Sequence, residues 1–208
     1  MLLRNDYAVH DLVEWTLLAS TPLLGLLMIS RLPYLHLLNR YLGAMTDIIL
    51  AHQGTIDEFI GDAILAVFGA PQTREDDADR AVQCALAMQA AMADINRANE
   101  ADGLPAVATG IALNTGKVIA GNIGSERRAS YGAVGTPINA AYRIESFTVG
   151  GQILISPTTH ERIGTKLAII GTKEVKFKGL DQPVCLYDVA GIGDPYQVFL
   201  PAKKEKNF

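Results

Sequence analysis

The chain has 208 residues, 49% of them hydrophobic, and a formal net charge of −4. That length and composition suit one compact domain with a buried core and exclude a disordered or fibrous chain. With a pI near 5.5, the chain lacks the broad basic face of sequence-independent nucleic-acid binding, so no nucleic acid is expected as a partner.

The two cysteines, Cys84 and Cys185, sit in apolar stretches and read as small buried thiols, with neither a disulfide framework nor a metal site. His10, His36, His52 and His160 show no ligand spacing. Residues 15–29 are the most apolar stretch, but Pro22 interrupts it and Arg31 ends it, short of the roughly 20 residues that span a bilayer. Asp6, Asp11 and Glu14 precede it, where a signal peptide would carry positive charge. The expected location is cytoplasmic.

Between residues 34 and 52, Leu35, Leu38, Tyr41, Leu42, Met45, Ile48 and Ile49 recur at helical spacing, and Gly54 follows where a helix would stop. Two β-rich runs come next, 55–60 and 63–68. Gly61-Asp62 between them favours a tight primed hairpin turn with Asp62 at its tip. Thr73, followed by Glu75, Asp76 and Asp77, offers a cap and an acidic first turn for a second helix reaching about Asn96.

Val107, Thr109, Ile111 and Leu113 alternate, Asn114-Thr115-Gly116 offers a turn, and residues 118–120 return, so a second hairpin is expected. A glycine-punctuated loop, 121–128, follows it. Residues 131–134 read as a strand, and Thr136-Pro137 starts a helix running to about Phe147. The remainder alternates strand 152–155, helix 157–163, and strands near 174–177 and 184–189. It ends in a solvated tail with Lys203, Lys204 and Lys206. This order points to an α+β layer sandwich, with helices covering one face of a mainly antiparallel sheet.

A carboxylate at a hairpin tip, Asp62, beside a glycine that admits a close approach, Gly61, suits a hard divalent cation and a polyphosphate. Asn139 and Arg143 lie one helical turn apart, so both leave the same face, one a neutral donor and acceptor, the other a cationic fork. That pair suits a ribose and a charged phosphoryl group.

Leu38-Asn39-Arg40-Tyr41-Leu42, the run from Thr55 through Asp62 to Gly69, and Gly121-Asn122-Ile123-Gly124-Ser125 occur in that order. Tyr131-Gly132-Ala133-Val134-Gly135 leads into Asn139-Ala140-Ala141-Tyr142-Arg143-Ile144-Glu145, with Gly151-Gln152-Ile153-Leu154-Ile155-Ser156 after it. Together, across residues 37–189, these resemble the catalytic domains of class III nucleotidyl cyclases. The resemblance implies a ferredoxin-like cyclase sandwich that closes ATP or GTP into a 3′,5′-cyclic monophosphate in intracellular signalling. It divides the chain into an atypical segment 1–33, a catalytic domain 34–192 and a tail 193–208. It further implies Mg2+ or Mn2+, a homodimer or a heterodimer with another cyclase domain, and membrane attachment only through domains outside this chain.

By the same resemblance Asp62 matches a metal-binding aspartate, Asn139 the asparagine that orients the ribose, and Arg143 the arginine that stabilises the pentavalent phosphorus. Lys176 matches a lysine on the nucleotide phosphates, with Gly61 beside the substrate. Glu58 takes a purine-reading position, as an acceptor suited to guanine N1–H and N2–H. The second reading position falls on Gly132, which has no side chain, so ATP and GTP both stay open. Arg127 and Arg128 read as an exposed loop pair. The family's first metal aspartate is missing: residues 15–25 place Ser20 or Thr21 near its position, and neutral hydroxyls are weak ligands for divalent cations. A degenerate subunit, a partner that supplies the aspartate and a disturbed reading frame ahead of Leu37 remain as alternatives.

Overall fold

The computed structural model describes residues 32–125, 128–177 and 182–201. The chain divides into two units at Tyr41 and Leu42, and the fold below is that of the second unit. Residues 1–31 of the atypical segment and the Lys203–Lys206 part of the tail lie outside the described residues.

Helix α1, Leu32–Ala51, runs across the division, and Met45 and Ile49 on its second half are buried. Its end differs in detail from expectation. Gln53 takes the left-handed conformation at φ 59, while Gln53 N–H and Gly54 N–H donate to the carbonyls of Leu50 and Ile49, the paired closure of a Schellman cap. Gly54 serves close packing instead, since a Cβ there would lie 2.8 Å from the Phe68 ring.

Strands β1, Thr55–Ile60, and β2, Ala63–Val67, form the expected antiparallel hairpin. Gly61 is at φ 65, as a turn with glycine in its first central position requires. The register passes from Ile56↔Ala66 to Glu58↔Leu65, which leaves Asp57 as the extra residue of a bulge.

Helix α2, Asp77–Ala101, starts later than Thr73, whose hydroxyl donates to the Gly69 carbonyl instead of capping. Asp77 accepts from the Arg74 backbone N–H at 2.8 Å, closing the turn ahead of the helix. The helix also passes Asn96, because that side chain is spent on the next segment: its amide donates to Val107 O and its oxygen accepts from Val107 N–H, both at 2.8 Å.

The second hairpin is not formed as expected. Strand β3, Ile111–Leu113, pairs in parallel with β6, Ile153–Ile155. The segment after β3 is tied down before it can turn back: Asn114 donates to Pro137 O, and Thr158 donates to Thr115 O. Strand β4, Ile119–Ser125, instead pairs antiparallel with β5, Arg128–Val134, so most of the glycine-rich stretch read as a loop is strand. Helix α3, Thr136–Glu145, and helix α4, Pro157–Ile163, follow. Strands β7, Leu167–Val175, and β8, Val184–Ile192, complete the main sheet in the order β3-β6-β8-β7. A short β9, Val198–Phe199, pairs with β8, so the start of the expected tail is part of the sheet.

All three residues of β6 are fully buried. Ile153 and Ile155 join Val82, Leu86, Ile163 and Val189 in one core, whereas Leu154 joins Ile144, Val175, Phe177 and Leu186 in another. Because strand side chains alternate between faces, α2 and α4 cover one face and α3 lies against the other. The expectation of helices on one face is corrected accordingly. Cys84 is buried with a thiol pushed up to about 12 by desolvation, and both cysteines are free.

Asp79 on α2 is buried and receives Lys166 Nζ at 2.6 Å and the Tyr196 hydroxyl at 3.0 Å, fastening the β9 return to α2. The hydrogen bond to Asp79 is the main cause raising both Lys166 and Tyr196 above their ordinary values of 10.5 and 10.0. The native state therefore holds protons that the unfolded chain releases, and this stabilisation is complete below about pH 10 and is lost as pH rises through the elevated values. Urea unfolding between pH 8 and 11.5 is expected to show a steeper alkaline loss of stability in the wild type than in Asp79→Asn; equal slopes would refute the assignment.

The two hairpins meet at Asp57. Its Oδ2 accepts from Ala133 N–H at 3.2 Å, and a Cβ at Gly132 would lie 2.6 Å from its Oδ1. Gly132→Ala must displace that carboxylate and is expected to cost about 1 kcal/mol, near the worth of the bond it breaks. In an Asp57→Ala background the same change becomes close to neutral. Denaturant titration of the two single variants and the double variant gives the coupling directly, and additive effects would exclude the contact.

Candidate functional site

Local sequence builds the site's helix. Gly135 precedes α3, a proline lies in its first turn, and the Asn114 amide holds the Pro137 carbonyl at 2.8 Å. At the other end Ser146 and Thr148 hydroxyls donate to the carbonyls of Arg143 and Glu145 at 2.8 and 2.7 Å, satisfying groups that a helix end leaves open. Ile144 anchors the helix in the core while Asn139, Tyr142 and Arg143 are exposed. Their spacing puts all three on one outer face.

Glu58 is exposed on β1, directly after the bulge, and its Oε1 accepts from the Tyr142 hydroxyl at 3.2 Å. The structure thus brings the expected purine-reading residue to the helix carrying Asn139 and Arg143. Burial first, then the hydrogen bond and charge of Glu58 and the charge of Asp57, raise the Tyr142 hydroxyl above its ordinary value of 10.0, so it remains a donor at neutral pH. Sequence reasoning missed both Tyr142 and Asp57. The helical interval from Asn139 was a signal for the first; for the second, only a carboxylate beside Glu58 within a β-rich run.

Lys176 is exposed immediately after β7, between buried Val175 and Phe177. Those neighbours share a core with Ile144, so the strand end bearing Lys176 and the helix bearing Arg143 are held by the same packing. Asp62 and Gly61 are exposed at the hairpin tip, and nothing crowds a Cβ at Gly61, leaving the tip open to approach. Asp62 takes no part in the Glu58–Tyr142 contact. Ser20, Thr21 and Arg127 lie outside the described residues.

A hard divalent cation takes about six oxygen ligands. Among the described residues no group of three or more His, Cys, Asp or Glu side chains forms a ready-made cage for one, so Asp62 would contribute one carboxylate to an ion whose other ligands come from substrate phosphates and water. Nor, among the described residues, is any helix long and apolar enough to cross a membrane.

Residues 26–191 match the family described as the adenylate and guanylate cyclase catalytic domain, a stretch that begins beyond Ser20 and Thr21. Among solved structures, the chain is similar to the guanylyl cyclase Cya2, with a TM-score of 0.78 and 49% identity, covering 81% of this chain and 86% of that one. It is also similar to the adenylyl cyclase CyaB from P. aeruginosa, with a TM-score of 0.69 and 35% identity over 75% of this chain and 81% of that one. Adenylate cyclase 1 of Rhizobium meliloti is 30% identical over 158 residues, 75% of this chain and 24% of that protein. The chain thus spans about a quarter of the length of the curated relatives it matches. The family generally uses divalent metals and works as dimers on ATP or GTP. By its matched residues and its fold, this chain belongs to the adenylate and guanylate cyclase catalytic domain family.

Proposed function

We propose that this chain forms a nucleotidyl cyclase site that acts on GTP in preference to ATP, in the cytoplasm, within a head-to-tail dimer. The observation that carries the reading is the contact between Glu58 and Tyr142, which assembles a base-reading carboxylate with the Asn139 and Arg143 face of α3. An ionised glutamate only accepts hydrogen bonds, and guanine offers two adjacent donors, N1–H and N2–H; adenine presents an acceptor at N1. The similarity to a guanylyl cyclase at 49% identity supports the same choice.

In this reading the ribose 3′-oxygen attacks the α-phosphorus, the new O3′–P bond forms as the bond to the β-phosphate bridging oxygen breaks, and the hydroxyl proton is released. Pyrophosphate departs. Asn139 orients the ribose, Arg143 neutralises charge gathering on the α-phosphoryl oxygens, and Lys176 holds the leaving phosphates, the positioning and charge stabilisation on which phosphoryl transfer depends. Asp62, from the second protomer, would help hold a Mg2+ or Mn2+ ion, which would supply further charge stabilisation to the phosphates.

The missing first aspartate favours one further reading, a regulatory subunit that lends Asn139 and Arg143 to a partner cyclase domain carrying both metal carboxylates. Assays of cyclic GMP and cyclic AMP formation with Mg2+ and with Mn2+, before and after Thr21→Asp, separate the two. Cyclic GMP is expected to exceed cyclic AMP, and Thr21→Asp to raise the rate at least about tenfold. Arg143→Ala should lower kcat by about a hundredfold with little change in KM, as loss of a transition-state contact does. Asp62→Ala should abolish product. Activity only after mixing with an active relative disabled at its own asparagine and arginine would establish the regulatory reading, and no product in any arrangement would refute both.

A further inference from the structure

A glutamate on an exposed strand is a long, mobile side chain, and it discriminates between bases only if its carboxylate is held in one orientation. Two features hold it here. The preceding bulge residue, Asp57, fastens β1 to β5 through Ala133 N–H, so the backbone that carries Glu58 is fixed against the second hairpin. At the carboxylate itself, the Tyr142 hydroxyl donates to Oε1 at 3.2 Å.

The same Asp57 carboxylate fills the space beside Gly132 that a side chain would occupy. At this point β5 therefore offers the base backbone groups alone, and side-chain reading falls on Glu58. A carboxylate has about four acceptor positions, so the bond from Tyr142 leaves both oxygens able to accept two parallel donors.

We propose that Tyr142 is a specificity-positioning residue: by fixing Glu58 it makes the nucleotide site select guanine over adenine. This rests on the reading of Glu58 as the residue that recognises the base. Tyr142 is 37% exposed, so Tyr142→Phe removes the hydroxyl without opening a buried void, and the ring remains in place.

The test is equilibrium binding to the full chain at fixed divalent cation, with the α,β-methylene analogues of GTP and ATP, which cannot release pyrophosphate. Wild type, Tyr142→Phe, Glu58→Gln and the double variant are compared. The wild type is expected to prefer the guanine analogue by at least about tenfold, and Glu58→Gln to remove most of that preference. Tyr142→Phe should reduce the preference by about three- to tenfold through weaker guanine binding alone, the range for a hydrogen bond to a charged but exposed group. The double variant should match Glu58→Gln, since Tyr142 acts through Glu58.

An unchanged preference in Tyr142→Phe, with the preference lost in Glu58→Gln, overturns the role of Tyr142 and leaves the base-reading assignment standing. An equal loss for both analogues in Tyr142→Phe also overturns it, by showing a general structural effect. No guanine preference in the wild type, no effect of Glu58→Gln, or no binding of either analogue overturns the assignment of Glu58 itself.

Discussion

The burial of β6 is the constraint on which the rest of this fold depends. Ile153, Leu154 and Ile155 are all fully removed from solvent, and their alternation sends two side chains into one core and one into the other. Three residues thereby fix a central strand between two helical layers. The first core holds the long α2 and the short α4; the second holds α3 and the end of β7. Since α3 carries Asn139 and Arg143, and the end of β7 leads to Lys176, these candidate residues stand on a surface whose underside is close-packed. Close packing resists displacement, so the backbone beneath these residues is held in one geometry.

Adjacent residues on α2 then fasten the margins of the domain in different directions. Arg80 donates to the carbonyls of His52 and Gln53 at 2.9 and 3.1 Å, placing a cation at the negative end of α1, and it pairs with Asp76 and Asp77. Asp79 gathers Lys166 and Tyr196. Both are hydrogen-bonded charged groups with little exposure, the condition under which such groups stabilise rather than penalise a fold. They connect α2 to the segment leading into the β1–β2 hairpin and to the β9 return.

The β1–β2 and β4–β5 hairpins lie outside the main sheet, and Asp57 joins them by a single side chain to backbone bond. The bulge that frees Asp57 for this task also sets where Glu58 leaves the strand. One irregularity therefore serves both attachment and aim, and it accounts for two adjacent charged residues, Asp57 and Glu58, in the middle of an otherwise β-rich run. Tyr142 completes the arrangement from α3, so that Glu58 on β1 and the helix carrying Asn139 and Arg143 are mechanically linked within one protomer. Asp62, at the tip of the same hairpin, is exposed.

Elements whose evidence is local were legible in the residues: the helical spacing from Leu35 to Ile49, the Gly61-Asp62 turn, and the helix from Pro157, which the structure shows capped by the Ser156 oxygen accepting from Thr159 N–H. The same holds for Asp62, Asn139 and Arg143 as candidates, because an acidic hairpin tip and a one-turn helical interval are written in adjacent positions. Pairing beyond that first hairpin was not legible. Ile111–Leu113 alternates as any half-buried strand would, and its choice of β6 over β4 is made by burial and by side-chain bonds to segments more than twenty residues away. The sequence by itself determined which residues can form each helix and turn and which chemistry they carry, since those depend on neighbours within a few positions. Only the tertiary structure decided which faces α3 and α4 cover, that Asp57 fills the space at Gly132, and that Tyr142 meets Glu58. Those contacts join residues far apart in the chain, and their energy exists only once the core has brought them together.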